Sequence, residues 1–101
     1  MKEYDLFIPL NYNDGTPIEA EKIQDISRRL LDEFSGVTFF SQPNEGFWKM
    51  GGVTYRDEIV IFRVLAQKRA GRRFLSKLKR ELLETLDQEA ILIIERDVQT
   101  L

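Results

Sequence analysis

The stretch Glu58–Ala66 constrains the fold more than any other part of this sequence. Ile59, Ile61 and Leu65 alternate with Val60, Phe62 and Val64, so an extended chain there is apolar on both faces. Only Arg63 interrupts the pattern. Such a strand belongs inside a sheet, and the rest of the chain must supply its neighbours and its covering layer.

The covering layer is legible as two segments of helical period. Ile23, Ile26, Leu30 and Phe34 follow one face of a helix predicted over 17–34. Thr16-Pro-Ile-Glu19 reads as its capping box, with Pro17 at the first helical position, and Ser35-Gly36 places a glycine just past its end. After Gln67–Gly71, Phe74, Leu75, Leu78, Leu82 and Leu86 repeat the spacing and predict a second helix to about Leu86.

The remaining segments supply strands. Tyr4–Leu10 puts Tyr4, Leu6, Ile8 and Leu10 on one face and Phe7 on the other. Val37–Ser41 is β-branched and aromatic, and Gln42-Pro-Asn-Glu-Gly46 is expected to end it. Phe47–Lys49 and Val53–Arg56, joined through Gly51-Gly52, suggest a small hairpin or an extended arm. Ala90–Ile94 is the last expected strand, apolar on both faces. The order strand, helix, strand, strand, helix, strand is that of an α+β ferredoxin-like βαββαβ sandwich, one domain over residues 1–101. In that plan both helices lie on one face of a four-stranded antiparallel sheet.

The other sheet face then carries Phe7 and one apolar side each of Glu58–Ala66 and Ala90–Ile94 with no helix over it. Packing the open sheets of two copies together buries it most simply, so a homodimer is expected, in the form of a dimeric α+β barrel. The alternative is that the Trp48 arm and the C-terminal tail fold back over the face.

Composition narrows the chemistry. Without cysteine or histidine the chain cannot form a disulfide, a thiolate nucleophile, a Ser-His-Asp triad or a histidine-ligated metal. No cofactor is expected, and a carboxylate metal site from Asp57 and Glu58 with Asp14 or Glu45 is disfavoured because adjacent strand residues point to opposite faces. No apolar run is long enough to span a bilayer, so no membrane partner and a cytoplasmic location are the default expectations.

Two clusters could still bind something. The segment from Glu45 to Glu58 gathers Phe47, Trp48 and Tyr55 with several glycines and charges. Read functionally, Trp48 and Tyr55 wall an apolar pocket while Glu45, Arg56, Asp57 and Glu58 orient a small ligand. A buried carboxylate among Glu45, Asp57 and Glu58 could then serve as a base in an enzyme without histidine. Read structurally, which we prefer for this local cluster, Phe47 and Trp48 plug the end of the core and Arg56–Glu58 are solvated or locally paired.

The second cluster emerges from the charge partition. A net charge of −2 divides into −5 over residues 1–58, +8 over 59–80 and −5 over 81–101. Arg69, Arg72, Arg73 and Lys77, with Arg63, Lys68, Lys79 and Arg80, crowd around the start of the second helix, a candidate anion site. Nucleic acid is an extended version of that idea and the less favoured one, because no aromatic side chain interleaves the cations. A solvated helix face paired with the acidic first helix or with a partner subunit explains the pattern more simply.

Taken together, Leu6-Phe7, Phe34-x-Gly-x-Thr38, Gly46-Phe-Trp48, a glycine before Tyr55-Arg-Asp-Glu58, apolar Ile59–Val64 and Gln88-Glu-Ala-Ile-Leu92 resemble a family of small bacterial proteins of unknown function. The resemblance spans nearly the whole chain and implies a compact ferredoxin-like fold; it transfers no catalytic residue. The longer basic stretch before the second helix departs from that family. The resulting expectation is a dimeric domain without catalysis that binds a small molecule or a protein partner.

Overall fold

The computed structural model describes residues 1–67 and 69–101. Its elements follow the expected order: β1 (Lys2–Pro9), α1 (Ala20–Phe34), β2 (Thr38–Met50), β3 (Val53–Ala66), α2 (Ala70–Thr85) and β4 (Leu92–Asp97). The sheet runs β2-β3-β1-β4 and is antiparallel throughout. The α+β ferredoxin-like sandwich is therefore the observed fold.

Alternation sets the core. Tyr4, Leu6 and Ile8 of β1 and Val60, Phe62, Val64 and Ala66 of β3 point to the helix side, where Ile26 and Leu30 of α1 and Leu75, Leu78 and Leu82 of α2 meet them. Phe62, Leu6, Leu78 and Leu86 are fully buried.

Several boundaries depart from the sequence expectation. The capping box does not form: α1 starts at Ala20, after Glu19, with no side-chain cap. Thr16 instead donates its hydroxyl and its N–H to Asp14 Oδ1, at 2.7 and 2.9 Å, in a turn closed by the Asp14 side chain. Ile18 donates its N–H to the Leu10 carbonyl at 2.8 Å and buries its side chain. That anchoring holds residues 16–18 extended and delays the helix. At the other end Ser35, not Gly36, adopts the left-handed conformation, with φ 62°.

Gln42–Gly46 does not end a strand. β2 runs through it to Met50, with an irregularity in register between Phe40 and Asn44 that accommodates Pro43. Proline is tolerated because β2 is an edge strand, where a missing N–H breaks no ladder. The hairpin is consequently long, and Gly51 and Gly52, at φ 58° and 80°, supply the positive angles its two-residue turn needs. β4 begins later than expected, at Leu92 opposite Phe7. A little further along β1 stands Pro9, which has no N–H to extend the ladder toward Ala90.

Candidate functional site

Beyond the helix-covered part of the sheet, β2 and β3 continue as a two-stranded arm. Val53–Glu58 is exposed on both faces, an overhang of about 20 Å at 3.3 Å per residue. The arm ends in apolar side chains: Phe47 is 64% exposed, Met50 53% and Val53 52%. The expectation that Phe47 and Trp48 plug the core is therefore corrected. They ride on the arm because β2 does not break at Pro43.

Register decides which candidate residues meet. Trp48 faces Tyr55 directly, Glu45 faces Glu58, and Gly46 faces Asp57. Since Val60 and Phe62 point to the helices, Tyr55, Asp57 and Trp48 share the helix-free side, and Glu45, Arg56 and Glu58 share the other. The six residues make two clusters back to back, not one pocket. On the helix-free side the Trp48 and Tyr55 rings stack at 4.7 Å, and Trp48 Nε1 donates to Asp57 Oδ2 at 2.7 Å. On the other side Arg56 pairs with Glu45 and, at 3.8 Å, with Glu58. All three acids are exposed, so none of them is the buried base expected at this cluster. An open depression of about 720 Å³ between α1 and α2, rimmed by Lys22, Asp25, Arg29 and Glu81, includes none of these candidates.

The helix-free face is apolar and uncovered. Phe40, Leu65 and Leu92 are 40%, 42% and 56% exposed, and Phe7, Ile59, Ile61 and Ile94 are half-buried. Neither the arm nor the tail folds back over it: Trp48 is 45% exposed, and the Val98 N–H bonds the Met1 carbonyl at the sheet end.

Within that face lies a charged network the sequence reasoning missed. Asp5, 3% exposed, accepts two bonds from Arg63, Nε at 2.8 Å and Nη2 at 3.0 Å, and one from Arg96 Nη1 at 2.9 Å. Glu3 completes it, 3.3 Å from Arg96 and 3.5 Å from Arg63. Hydrogen bonds from Arg63 outweigh burial and hold the Asp5 carboxyl below the usual range. The Arg63 guanidinium in turn lies 5.1 Å from the Phe40 ring centre. The available signal was Arg63 itself, the one charge in an apolar strand.

The basic cluster lies at the surface of a single chain. Arg69, Arg72, Arg73, Lys77 and Arg80 are exposed along α2, and Lys68 lies outside the described residues. Arg72 approaches Glu95 at 3.9 Å. Arg69, Arg73, Lys77, Lys79 and Arg80 have no ion pair among the described residues, and the single helix–helix ion pair joins Arg29 to Glu81, outside the stretch. Pairing of the stripe with the acidic first helix does not occur among the described residues of this chain. The α2 first turn has neither an acid nor a side-chain cap. Cations there oppose the helix dipole at about 0.3–1 kcal/mol each, and like charges four apart cost about 0.2–0.5 kcal/mol a pair.

These features define a domain of the ferredoxin-like class with an extended β2–β3 arm. No protein-family model matches the chain, and no curated protein is significantly similar to it. Among solved structures it is similar to a phage SAM lyase in complex with S-methyl-5'-thioadenosine, with a TM-score of 0.70, 16% identity, and 95% of this chain and 80% of that chain covered. It is also similar to the divalent cation tolerance protein CutA1 from Thermus thermophilus (TM-score 0.67, 16% identity, 99% and 86% covered). The PII-like protein CutA from Nostoc sp. PCC 7120 follows at a TM-score of 0.61, 17% identity and coverage of 97% and 81%. At this identity the likeness establishes the fold. No helix among the described residues is long and apolar enough to cross a membrane.

Proposed function

We propose that the chain is a self-assembling, non-catalytic binding domain whose ligand site is completed by a second copy. The helix-free sheet face and the arm form the contact, and a small molecule sits at the seam beside Trp48, Tyr55 and Asp57. The carrying observation is that one continuous side of the molecule, from Leu92 across Ile61 to Met50, exposes apolar side chains. A two-stranded ribbon is marginal in water without a packing partner, and a patch of this extent is unusual on a monomer. The charged network on that face is neutral overall and internally paired, so covering it leaves no uncompensated charge.

A ligand at the seam would meet a stacked pair of rings and one carboxylate, few polar groups in an apolar wall. That a phage enzyme of the same fold holds S-methyl-5'-thioadenosine supports a small-molecule site on this scaffold. The homodimer is the simplest closed assembly. Sedimentation velocity at micromolar concentration tests the assembly, with Ile61→Arg as the disrupting variant. The proposal requires at least two copies in the native chain and one in the variant; a monomeric native chain overturns it. Trp48 emission, the chain's only tryptophan signal, then reports ligands in a metabolite screen on the assembled protein.

A further inference from the structure

The binding seam leaves the outer face of α2 unused, and that face has the most concentrated charge in the molecule. Over residues 69–80, about 17 Å of helix at 1.5 Å per residue, there are six cations and no acid. The helical angle of 100° per residue puts Arg69, Arg73 and Arg80 along the outward centre line. Arg72 and Lys79 fall on one flank and Lys77 on the other. Leu75, Leu78 and Leu82, on the opposite side, are buried in the core.

Three observations separate this stripe from an ordinary solvated helix. Arg69, Arg72 and Arg73 oppose the helix dipole, and the cations of the stripe oppose one another, with no cap or first-turn acid to offset them. Acidic partners are sparse: among the described residues only Arg72 meets an acid, Glu95 at 3.9 Å, and Glu81 turns to Arg29. The stripe is also continuous, since Ser76 and Ala70 are the only neutral residues at its surface.

We propose that the outer face of α2 docks on the phosphate backbone of duplex nucleic acid. The face is convex, about one helix wide, and positively charged along its centre and both flanks, which suits a groove bordered by two phosphate strands. Its lack of exposed aromatics disfavours single strands, which are held by stacking. Its lack of exposed apolar side chains disfavours insertion into a lipid surface, because the apolar side of α2 is committed to the core. Contacts carried by charge alone go to the phosphates, so binding is sequence-independent and salt-sensitive.

Anisotropy of short labelled duplexes, DNA and RNA, against the full chain tests this. About four phosphate contacts give a slope near −3.6 in log affinity against log salt, a loss of about 150-fold between 50 and 200 mM. The variant Arg73→Glu/Lys77→Glu/Arg80→Glu is expected to lose at least about 30-fold in affinity at low salt while keeping its helical circular dichroism and its sedimentation coefficient. No duplex binding at 50 mM salt, or an unchanged affinity in the folded variant, overturns the proposal. Tighter binding to single strands or to anionic vesicles than to the duplex overturns it in favour of those partners. A variant that disassembles the protein overturns it in favour of a contact between copies. Ile61→Arg, which targets the opposite face, should retain duplex contacts per chain, so failure of this proposal and failure of the seam are told apart.

Discussion

Replacing Asp5 by Asn isolates the charge at the centre of the helix-free face. The native carboxylate is 4% exposed and accepts three hydrogen bonds from two guanidinium groups at 2.8, 3.0 and 2.9 Å. Asn keeps the shape, but its amide faces donors with a donor. Bonds to a charged group contribute about 1.5–3 kcal/mol each when dry. Arg63 and Arg96 are 39% and 44% exposed and regain water once released, so the total falls well below three full bonds, to about 2 kcal/mol. For a domain of this size that lowers the melting temperature by about 8–16 °C.

The pH dependence gives a second, sharper signature of the same substitution. Because the folded Asp5 carboxyl lies below its ordinary value of 3.8, its contribution is fully present above that pH and is lost as pH falls through the lower folded value. Urea titrations of the native chain and of Asp5→Asn, at one fixed protein concentration, should therefore differ by a constant amount from pH 5 to 8 and converge in strong acid. A difference below about 0.5 kcal/mol at pH 7, or one undiminished at the acid end, would refute the assignment of Asp5 as the anchor of the network.

Three further outcomes follow from the packing. Gly71→Ala should destabilise by about 1 kcal/mol in chemical denaturation despite the better helix former, since the new Cβ meets Ala66 Cβ at 2.9 Å and Phe34 Cε1 at 3.0 Å. Stability equal to or above native would show that α2 can shift away from β3. Tyr4 should ionise above its ordinary value of 10.0, because burial first and the Glu95 carboxylate second raise it; stability should fall as pH climbs past 10, less so in Tyr4→Phe, and an equal fall in both would refute this. Asp57→Ala should shift the Trp48 emission and leave global stability within about 0.5 kcal/mol, as the 2.7 Å indole bond lies on an exposed arm; unshifted emission would mean that the bond is not populated in solution.

Much of the fold was legible because periodicity records which side of an element meets the core. Leu6 and Ile8, Ile26 and Leu30, and Leu75, Leu78 and Leu82 all face inward as their spacing demands. The boundaries were less legible, since each turned on a partner distant in sequence. Pro43 is harmless only at a sheet edge, Thr16 bonds Asp14 only because Ile18 is drawn into the core, and β4 starts where Pro9 stops offering an N–H.

The candidate site divides the same way. Its residue types were visible around Trp48, but adjacent strand residues take opposite faces, and a register with Trp48 opposite Tyr55 splits six candidates into two groups. Asp5, Arg63 and Arg96 are far apart in the chain, and only pairing across β3, β1 and β4 assembles them. By itself the sequence determined the order of elements, their buried faces and the basic stripe on α2, because these depend on local spacing along one helix or strand. The tertiary structure decided where β2 ends, which charges meet and how far the β2–β3 arm overhangs the sheet, because strand register and edge position arise only when distant segments share backbone hydrogen bonds.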